Sequence, residues 1–113
     1  MPWRVRVIKS FEAAHFLTRY KGKPEPVHGH SWKVELFVEC KELKDDLCVD
    51  FLELDRLLGE LLPNYCLLNE RFNFSPSAEN LARWLYHEVK KRYPGLVKVV
   101  VWETERFGAE YYE

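Results

Sequence analysis

The 113-residue chain contains no glutamine, no internal repeat and no apolar run long enough to span a bilayer. It also shows no signal-peptide pattern, so we expect a cytoplasmic protein without membrane contact. The three cysteines are an odd number without the spacing of a disulfide framework, which favours a reducing compartment over secretion. The missing glutamine and the charged fraction of 31% lean toward a thermophilic source.

The charge composition argues against a general nucleic-acid binder, because the formal net charge is only −1. The charges are unevenly distributed. Residues 1–41 carry eight Lys or Arg against four Asp or Glu, whereas residues 42–80 carry three against nine. The basic segment either attracts an anionic substrate or forms a solvated surface. With 47% hydrophobic residues, the chain predicts one packed domain over residues 1–113, small enough that oligomerisation would help to bury apolar surface.

Two stretches alternate between apolar and polar residues, and this period of two predicts strands. The first begins at Trp3, and the second runs from Ser31 to Lys41. Between them, residues 16–27 contain one glycine and two prolines among charged residues, which predicts a loop.

Helical periodicity appears twice in the second half of the chain. Asp50 can cap a helix that runs to about Leu62. A second helix begins at Ser75 or Ser77, and Pro94 with the glycine after it closes the helix.

The last part of the chain is strand-like again. Residues 96–102 are rich in β-branched side chains, and residues 107–112 can return as a final strand. The predicted order is therefore ββααββ, an α+β domain with an antiparallel sheet and both helices on one face.

Three histidines are the residues most suggestive of chemistry. His28 and His30 lie two apart in a predicted strand, so their side chains point the same way, and Gly29 between them leaves room for close approach. With His15 as a third ligand, an open fourth position would describe a catalytic zinc site. Alternatively, His15 is a core histidine and the other two form a surface pair. The spacing alone does not decide between these interpretations.

The segments around the histidines form a longer pattern. Five motifs occur in this order: Phe11-Glu12-Ala13-Ala14-His15, Glu25-Pro26-Val27-His28-Gly29-His30, Val49-Asp50-Phe51, Ser75-Pro76-Ser77-Ala78-Glu79-Asn80 and Trp102-Glu103-Thr104. The series closely resembles the 6-pyruvoyl-tetrahydropterin synthase / 6-carboxy-tetrahydropterin synthase family, from about residue 3 to about residue 112. The resemblance implies a zinc-dependent pterin enzyme with a tunnelling fold. It also implies a homo-oligomer, a trimer or hexamer around a barrel of strands, with active sites at subunit junctions.

Glu103 ends a strand that is otherwise nearly all apolar. One carboxylate can accept two parallel hydrogen bonds from the amino-pyrimidine edge of a pterin, as it does from arginine. In the resembled family, the glutamate of this Glu-Thr motif anchors the pterin ring, and Glu103 matches that position. The alternative is an ion pair with Arg106 at the end of the strand.

Two departures from the family bear on the chemistry. Typical members carry a catalytic cysteine four residues before the first histidine of His-Gly-His, where this chain has Pro24. They also carry an Asp-His dyad after the first helix, in a segment where this chain has Asn64 and Tyr65. The thiol and its proton relay are therefore both missing, although Cys66 lies close to the lost dyad.

Glu25 is the residue left in a position to replace the thiol. One branch of the family has Glu in place of Cys, in the pattern Glu-x-x-His-Gly-His, and is associated with cleaving the side chain of dihydroneopterin triphosphate to 6-hydroxymethyl-dihydropterin. The resemblance thus implies a zinc-dependent lyase with Glu25 as the base. Three alternatives remain open: one of the reactions that name the family, a catalytically silent pterin- or zinc-binding homologue, and a Glu25 that is only an exposed loop charge.

Overall fold

The computed structural model describes all residues from 1 to 113, which form five strands and three helices. The elements are β1 (Trp3–His15), β2 (His28–Cys40), α1 (Phe51–Leu61), β3 (Cys66–Leu67), α2 (Leu68–Arg71), α3 (Ala78–Lys90), β4 (Leu96–Trp102) and β5 (Gly108–Tyr112). The strands form one sheet in the order β3-β1-β2-β4-β5. All neighbouring pairs are antiparallel except β1 and β3, which are parallel.

The β1–β2 ladder is the longest pairing of the sheet and carries the histidines. The register is unbroken from the Trp3–Cys40 pair to the His15–His28 pair. Alternate side chains are buried along both strands, with Glu35 of β2 as the buried exception, because one face of the sheet packs against the helices and the other does not. The hydrophobic alternation in the sequence thus predicted both strands correctly, including which face of β2 is buried.

Two capped helices cover the buried face. Asp50 accepts hydrogen bonds from the backbone amides of Leu52 and Glu53, at 2.9 and 3.4 Å, and so acts as the predicted cap of α1. Ser77 caps α3 through the amide of Asn80 at 3.1 Å. Apolar stripes of both helices join the inner face of the sheet in one core of 19 residues. The predicted α+β class, with helices on one face of the sheet, is confirmed.

The predicted order ββααββ omitted two short elements and therefore needs correction. Strand β3 has two residues and α2 has four, so neither is long enough to show a period in the sequence. Strand β3 is positioned by tertiary contacts, pairing with Ala13 and Ala14 of β1. The sheet is consequently mostly antiparallel, with three helices instead of two.

The face of the sheet opposite the helices has no cover within the chain and is lined by charged and aromatic residues. Arg6 pairs with Glu35 at 3.5 Å, and the same glutamate accepts a hydrogen bond from the Trp102 indole at 2.7 Å. Lys98 lies over the Phe37 ring, 4.5 Å from its centre. The single chain forms an open sheet. None of its helices combines the length and apolarity that crossing a membrane requires.

A disulfide joins Cys40 at the end of β2 to Cys48, just before α1, and Cys66 is the free cysteine. The odd cysteine count gave no reason to expect this bond. The argument from cysteine number for a reducing compartment therefore loses its basis, and the cytoplasmic location stays a prediction.

Candidate metal and pterin site

The three histidines meet at one end of the β1–β2 ladder. His15 and His28 are directly opposite each other, and His30 is two residues farther along β2, on the same face. The centres of the three rings lie 4.7 to 5.2 Å apart. Trp32 is fully buried beneath them and contacts the rings of His15 and His30 edge-on. The structure therefore brings the three predicted histidines together above the buried Trp32 ring.

Backbone carbonyls orient two of the imidazoles. Nδ1 of His15 lies 2.7 Å from the carbonyl oxygen of Pro76, in the turn before α3. Nδ1 of His28 lies 2.8 Å from the carbonyl of Pro26. A carbonyl can only accept, so each Nδ1 carries the proton and donates, which leaves each Nε2 as a lone-pair donor. A hydrogen bond from the other ring nitrogen to a backbone carbonyl is a usual way in which proteins orient a histidine that binds a metal.

The free ring nitrogens fit a zinc ion. Nε2 of His15 and Nε2 of His30 are buried and have no hydrogen-bond partner, which is costly for a polar atom. The candidate ligand atoms of His15, His28, His30 and Glu103 all lie within 4.8 Å of one another. Nitrogen ligands with a carboxylate suit zinc. Burial lowers the pKa of His30, partly opposed by Glu103, and so favours the neutral imidazole that binds metals.

Glu103 lies closer to the histidines than the sequence indicated. Its carboxylate is 3.2 Å from Nε2 of His30 and 3.9 Å from Nε2 of His15, and it makes no ion pair with Arg106. A hydrogen bond from its amide to the carbonyl of Phe107, at 2.9 Å, holds it in the turn between β4 and β5. Its side chain can therefore act as a fourth ligand or face a molecule bound beside the imidazoles.

Glu25 lies on the other side of the trio. Its carboxylate accepts a hydrogen bond from the amide of Leu17 at 2.8 Å, and its own amide donates to the carbonyl of Leu17 at 3.1 Å. The side chain is only 15% exposed and lies 3.9 Å from Nε2 of His28. Glu25 is consequently a fixed carboxylate at the site, and the alternative of a freely exposed loop charge does not describe it.

The segment that replaces the Asp-His dyad is held by Glu12. The Asn64 side chain accepts a hydrogen bond from the backbone amide of Glu12 at 2.8 Å. The backbone amide of Tyr65 donates to the backbone carbonyl of Glu12 at 2.6 Å. Tyr65 has a backbone φ of +55°, and 81% of the residue is exposed to solvent. Tyr65 and Cys66 line an open cleft together with His30. Neither hydrogen-bonds to a histidine of the trio.

Sequence reasoning missed the backbone groups that set up the site. The carbonyl of Pro76 and the amide of Leu17 act through the main chain, which every residue possesses, so residue identity gave no signal for them. The Ser-Pro-Ser motif did indicate the start of a helix. The carbonyl of Pro76 in this motif reaches His15 only through tertiary packing, because 61 residues separate the two in the sequence.

Comparisons with known proteins agree with this fold. The structure of Caenorhabditis elegans 6-pyruvoyl tetrahydropterin synthase superposes with a TM-score of 0.83, covering 98% of this chain and 95% of the other. The sequence identity of the two proteins is 19%, so this likeness concerns the fold. The protein therefore has the α+β fold of 6-pyruvoyl tetrahydropterin synthase.

The sequence comparisons identify the family. The model of the 6-pyruvoyl tetrahydropterin synthase family matches residues 4–113. A dihydroneopterin monophosphate aldolase of Pyrococcus furiosus is 32% identical over 114 residues, covering 97% of each chain. A 6-carboxy-5,6,7,8-tetrahydropterin synthase of Synechocystis is 32% identical over 120 residues, covering 97% of this chain and 93% of its own. This chain belongs to the 6-pyruvoyl tetrahydropterin synthase family, whose related members are pterin-processing enzymes.

Proposed function

We propose that the protein is a zinc-dependent aldolase that cleaves the side chain of a phosphorylated dihydroneopterin, giving 6-hydroxymethyl-dihydropterin. The observation that carries this proposal is the pairing of Glu25 with the imidazoles, 3.9 Å from His28, while Pro24 occupies the position of the family's thiol. The similarity to an archaeal dihydroneopterin monophosphate aldolase supports the same reaction class. From the sequence we expected dihydroneopterin triphosphate as the substrate. The proposal now includes any phosphate ester of dihydroneopterin.

Three residues would hold the metal, and two carboxylates would act beside it. His15, His28 and His30 present the ring nitrogens described above. Zinc at this position would acidify the side-chain hydroxyls of the substrate and polarise the carbonyl that forms. Glu103 would then turn from the imidazoles to the amino-pyrimidine edge of the pterin and accept its two donors.

Glu25 would be the base. The bond that breaks joins the first and second carbons of the substrate's side chain, and the hydroxyl of the second carbon becomes the aldehyde of the departing fragment. Glu25 accepts the proton of that hydroxyl, the electron pair of the broken bond passes to the first carbon, and Glu25 returns the proton to that carbon to complete the hydroxymethyl group. Removing an O–H proton requires a weaker base than removing a C–H proton, so a carboxylate suffices.

A second candidate is one of the reactions that name the family. The observation in its favour is the half-buried free thiol of Cys66, which lines the same cleft as His30. Tyr65 beside it stands where the family has histidine, and its hydroxyl could exchange a proton. In this alternative Cys66, not Glu25, would be the essential residue.

The active assembly is proposed to be a homo-oligomer, a trimer or hexamer. Strand β5 is an edge strand, and β3 pairs with only two residues of β1, so the rest of that edge of β1 is unpaired. Unpaired edges of this length favour strand pairing with another chain. A monomeric mass in solution, measured by light scattering, would contradict the proposal.

The deciding experiment compares the parent protein with Glu25→Gln on dihydroneopterin phosphate, with the pterin product identified by mass. Glutamine still accepts the Leu17 amide but is not a base, so the turnover number should fall about 10²–10⁴-fold. Zinc content and pterin binding should remain. The control is Glu12→Gln, since Glu12 is a nearby carboxylate that accepts a hydrogen bond from Ser31 and is not one of the residues that could hold the metal.

The outcomes separate the candidate functions. A Glu25→Gln protein that turns over as fast as the parent contradicts the base assignment. Loss of turnover in Cys66→Ser but not in Glu25→Gln would favour the second candidate. A parent protein that binds pterin and zinc but forms no product would be the catalytically silent homologue.

A further inference from the structure

The three residues that follow His15 are held by side chains and not by a strand. The β1–β2 ladder ends at His15, and each backbone amide of residues 16–18 donates to a side-chain oxygen. The acceptors come from separate parts of the chain, Asn69, Glu25 and Ser75, at 3.0, 2.8 and 3.1 Å. We call residues 16–18 the clamped segment. Since backbone amides need a partner in the folded state, these side chains fix the path of the segment.

Asn69 binds both polar groups of the Phe16 main chain. Its Oδ1 accepts a hydrogen bond from the Phe16 amide at 3.0 Å, and its Nδ2 donates to the Phe16 carbonyl at 2.9 Å. The side-chain amide of asparagine has a carbonyl acceptor and an NH₂ donor, like a peptide group. Asn69 can therefore take the place of a neighbouring strand.

Asn69 continues the pairing of β3 with β1 beyond the point where β3 ends. Ala13 and Ala14 of β1 each pair with the residue of β3 that lies 53 positions later in the sequence. Phe16 and Asn69 have the same separation of 53 residues. The chain enters α2 directly after β3, so its main chain does not extend the ladder. The two short elements thus bring the Asn69 side chain to the residue that follows His15.

The clamped segment connects two groups of the candidate site. His15 directly precedes it and donates from Nδ1 to the carbonyl of Pro76, the residue after Ser75. Leu17, in the middle of the segment, donates to the Glu25 carboxylate and accepts from the Glu25 amide at 3.1 Å. A displacement of the clamped segment would therefore move a metal ligand and the proposed base together.

We propose that Asn69 is a positioning residue of the site, supported by Ser75, and that it sets the geometry of His15 as a zinc ligand and of Glu25 as the base. Neither Asn69 nor Ser75 belongs to the group of side chains that could hold the metal, so both act through the main chain. The part that concerns Glu25 rests on the proposed function, whereas the part that concerns His15 requires only metal binding by the histidines. Losing a hydrogen bond that orients a metal ligand typically costs about 10–100-fold in metal affinity or activity.

The first test measures metal binding by Asn69→Leu, a variant that keeps the side-chain size but cannot hydrogen-bond to Phe16. Zinc affinity is measured by competition with a chromogenic chelator, well below the thermal midpoint of the protein. It should fall about 10- to 100-fold, because His15 is no longer preorganised. Cobalt(II) bound in place of zinc should show an altered visible absorption, since its spectrum depends on the geometry of the ligands.

Turnover in saturating zinc is the second test. With the metal site filled, kcat of Asn69→Leu for dihydroneopterin phosphate should fall about 10- to 100-fold, because Glu25 is displaced from the reacting hydroxyl. KM should change little, since the proposed anchor of the pterin ring, Glu103, is held separately in the turn between β4 and β5.

The matched control is Asp50→Ala. Asp50 also makes two hydrogen bonds to backbone groups, the amides at the start of α1. It lies two residues after Cys48, whose disulfide partner Cys40 is at the end of β2 opposite the histidines. Both variants should lower the midpoint of the metal-free protein by about 4–8 °C. Only Asn69→Leu should lower zinc affinity and kcat.

Ser75→Ala is a milder second variant, which removes only the contact with the Thr18 amide. It should lower zinc affinity about 2- to 10-fold, as expected for the loss of one hydrogen bond. Should Asn69→Leu fail to fold, Ser75→Ala provides the decisive measurement.

The outcomes separate this inference from the proposed function. Parent-like zinc affinity in Asn69→Leu and Ser75→Ala overturns the positioning role, and so do equal losses of affinity in Asn69→Leu and Asp50→Ala. Reduced affinity with an unchanged kcat overturns the part that concerns Glu25. A parent that forms no product overturns the proposed function, and the zinc and cobalt measurements still decide whether Asn69 positions His15.

Discussion

Removing the metal from this protein should lower its thermal stability, and the size of the effect follows from the site. Nε2 of His15 and Nε2 of His30 are buried and have no partner within the chain. In the unfolded chain the same nitrogens are hydrated, and the three histidines are not held in a preorganised site. Zinc should therefore bind the folded state preferentially and stabilise it.

The magnitude can be worked out from mass action and chain length. At a free zinc concentration about a hundredfold above the dissociation constant, the stabilisation is about 2.7 kcal/mol. A chain of 113 residues unfolds with an entropy of about 0.24 kcal/mol/K near its midpoint. The midpoint should therefore rise by about 11 °C on going from chelator to zinc.

The assay is thermal unfolding followed by circular dichroism, in excess chelator and in buffered zinc, at one protein concentration throughout. His30→Ala should abolish most of the zinc-dependent shift, because it removes one of the three imidazole ligands. His87→Ala is the control, since His87 is half exposed and pairs with Glu113 at 3.5 Å, on another surface. Metal analysis after gel filtration should show about one zinc per parent chain.

Two results would contradict this prediction. If the parent and His30→Ala shifted equally with zinc, the stabilisation would come from another site or from non-specific binding. A parent midpoint that does not respond to zinc, with no zinc retained, would show that the unpartnered nitrogens serve another purpose.

Two further predictions concern the anchor and the disulfide. Glu103→Gln keeps the side-chain shape but loses the charge, so pterin affinity in equilibrium binding should fall about 10- to 150-fold, or about 1.5–3 kcal/mol. Unchanged affinity would mean that Glu103 is not the anchor. Reducing the bond between Cys40 and Cys48 opens a loop with a separation of 8 residues and should lower the free energy of unfolding by about 2–3 kcal/mol. Urea unfolding of Cys66→Ser with and without reductant measures this, and equal stabilities would contradict a role for the bond.

Much of the fold could be predicted because it depends on local patterns. The alternation in β1 and β2, the Asp50 cap and the stripe of α3 each follow from a period or a cap within about fifteen residues. Strand β3 and α2 were missed because elements of two and four residues have no measurable period. Their position depends on contacts with β1.

The candidate site divides in the same way. The spacing of His28 and His30 by two residues is enough to place both side chains on one face of β2. The approach of Glu103 to His30 could not be deduced from the sequence, because 73 residues separate them and β4 pairs with β2 through a register set by packing. The low solvent exposure of the Glu25 side chain could not be deduced either, because it depends on the hydrogen bond that this side chain accepts from the backbone amide of Leu17.

Periodicity and motif spacing are local properties of the chain, and they were enough to predict the α+β class, the family resemblance and the placement of His28 and His30 on one face of a strand. The folded chain was needed to show that Glu25 and Glu103 flank the three histidines, that Pro76 orients His15, and that Cys40 bonds to Cys48. Those relations join distant segments through main-chain groups and shared packing. Their physical cause is tertiary packing, which brings the start of α3 and the loops at the ends of the strands into contact. No local sequence pattern predicts these contacts.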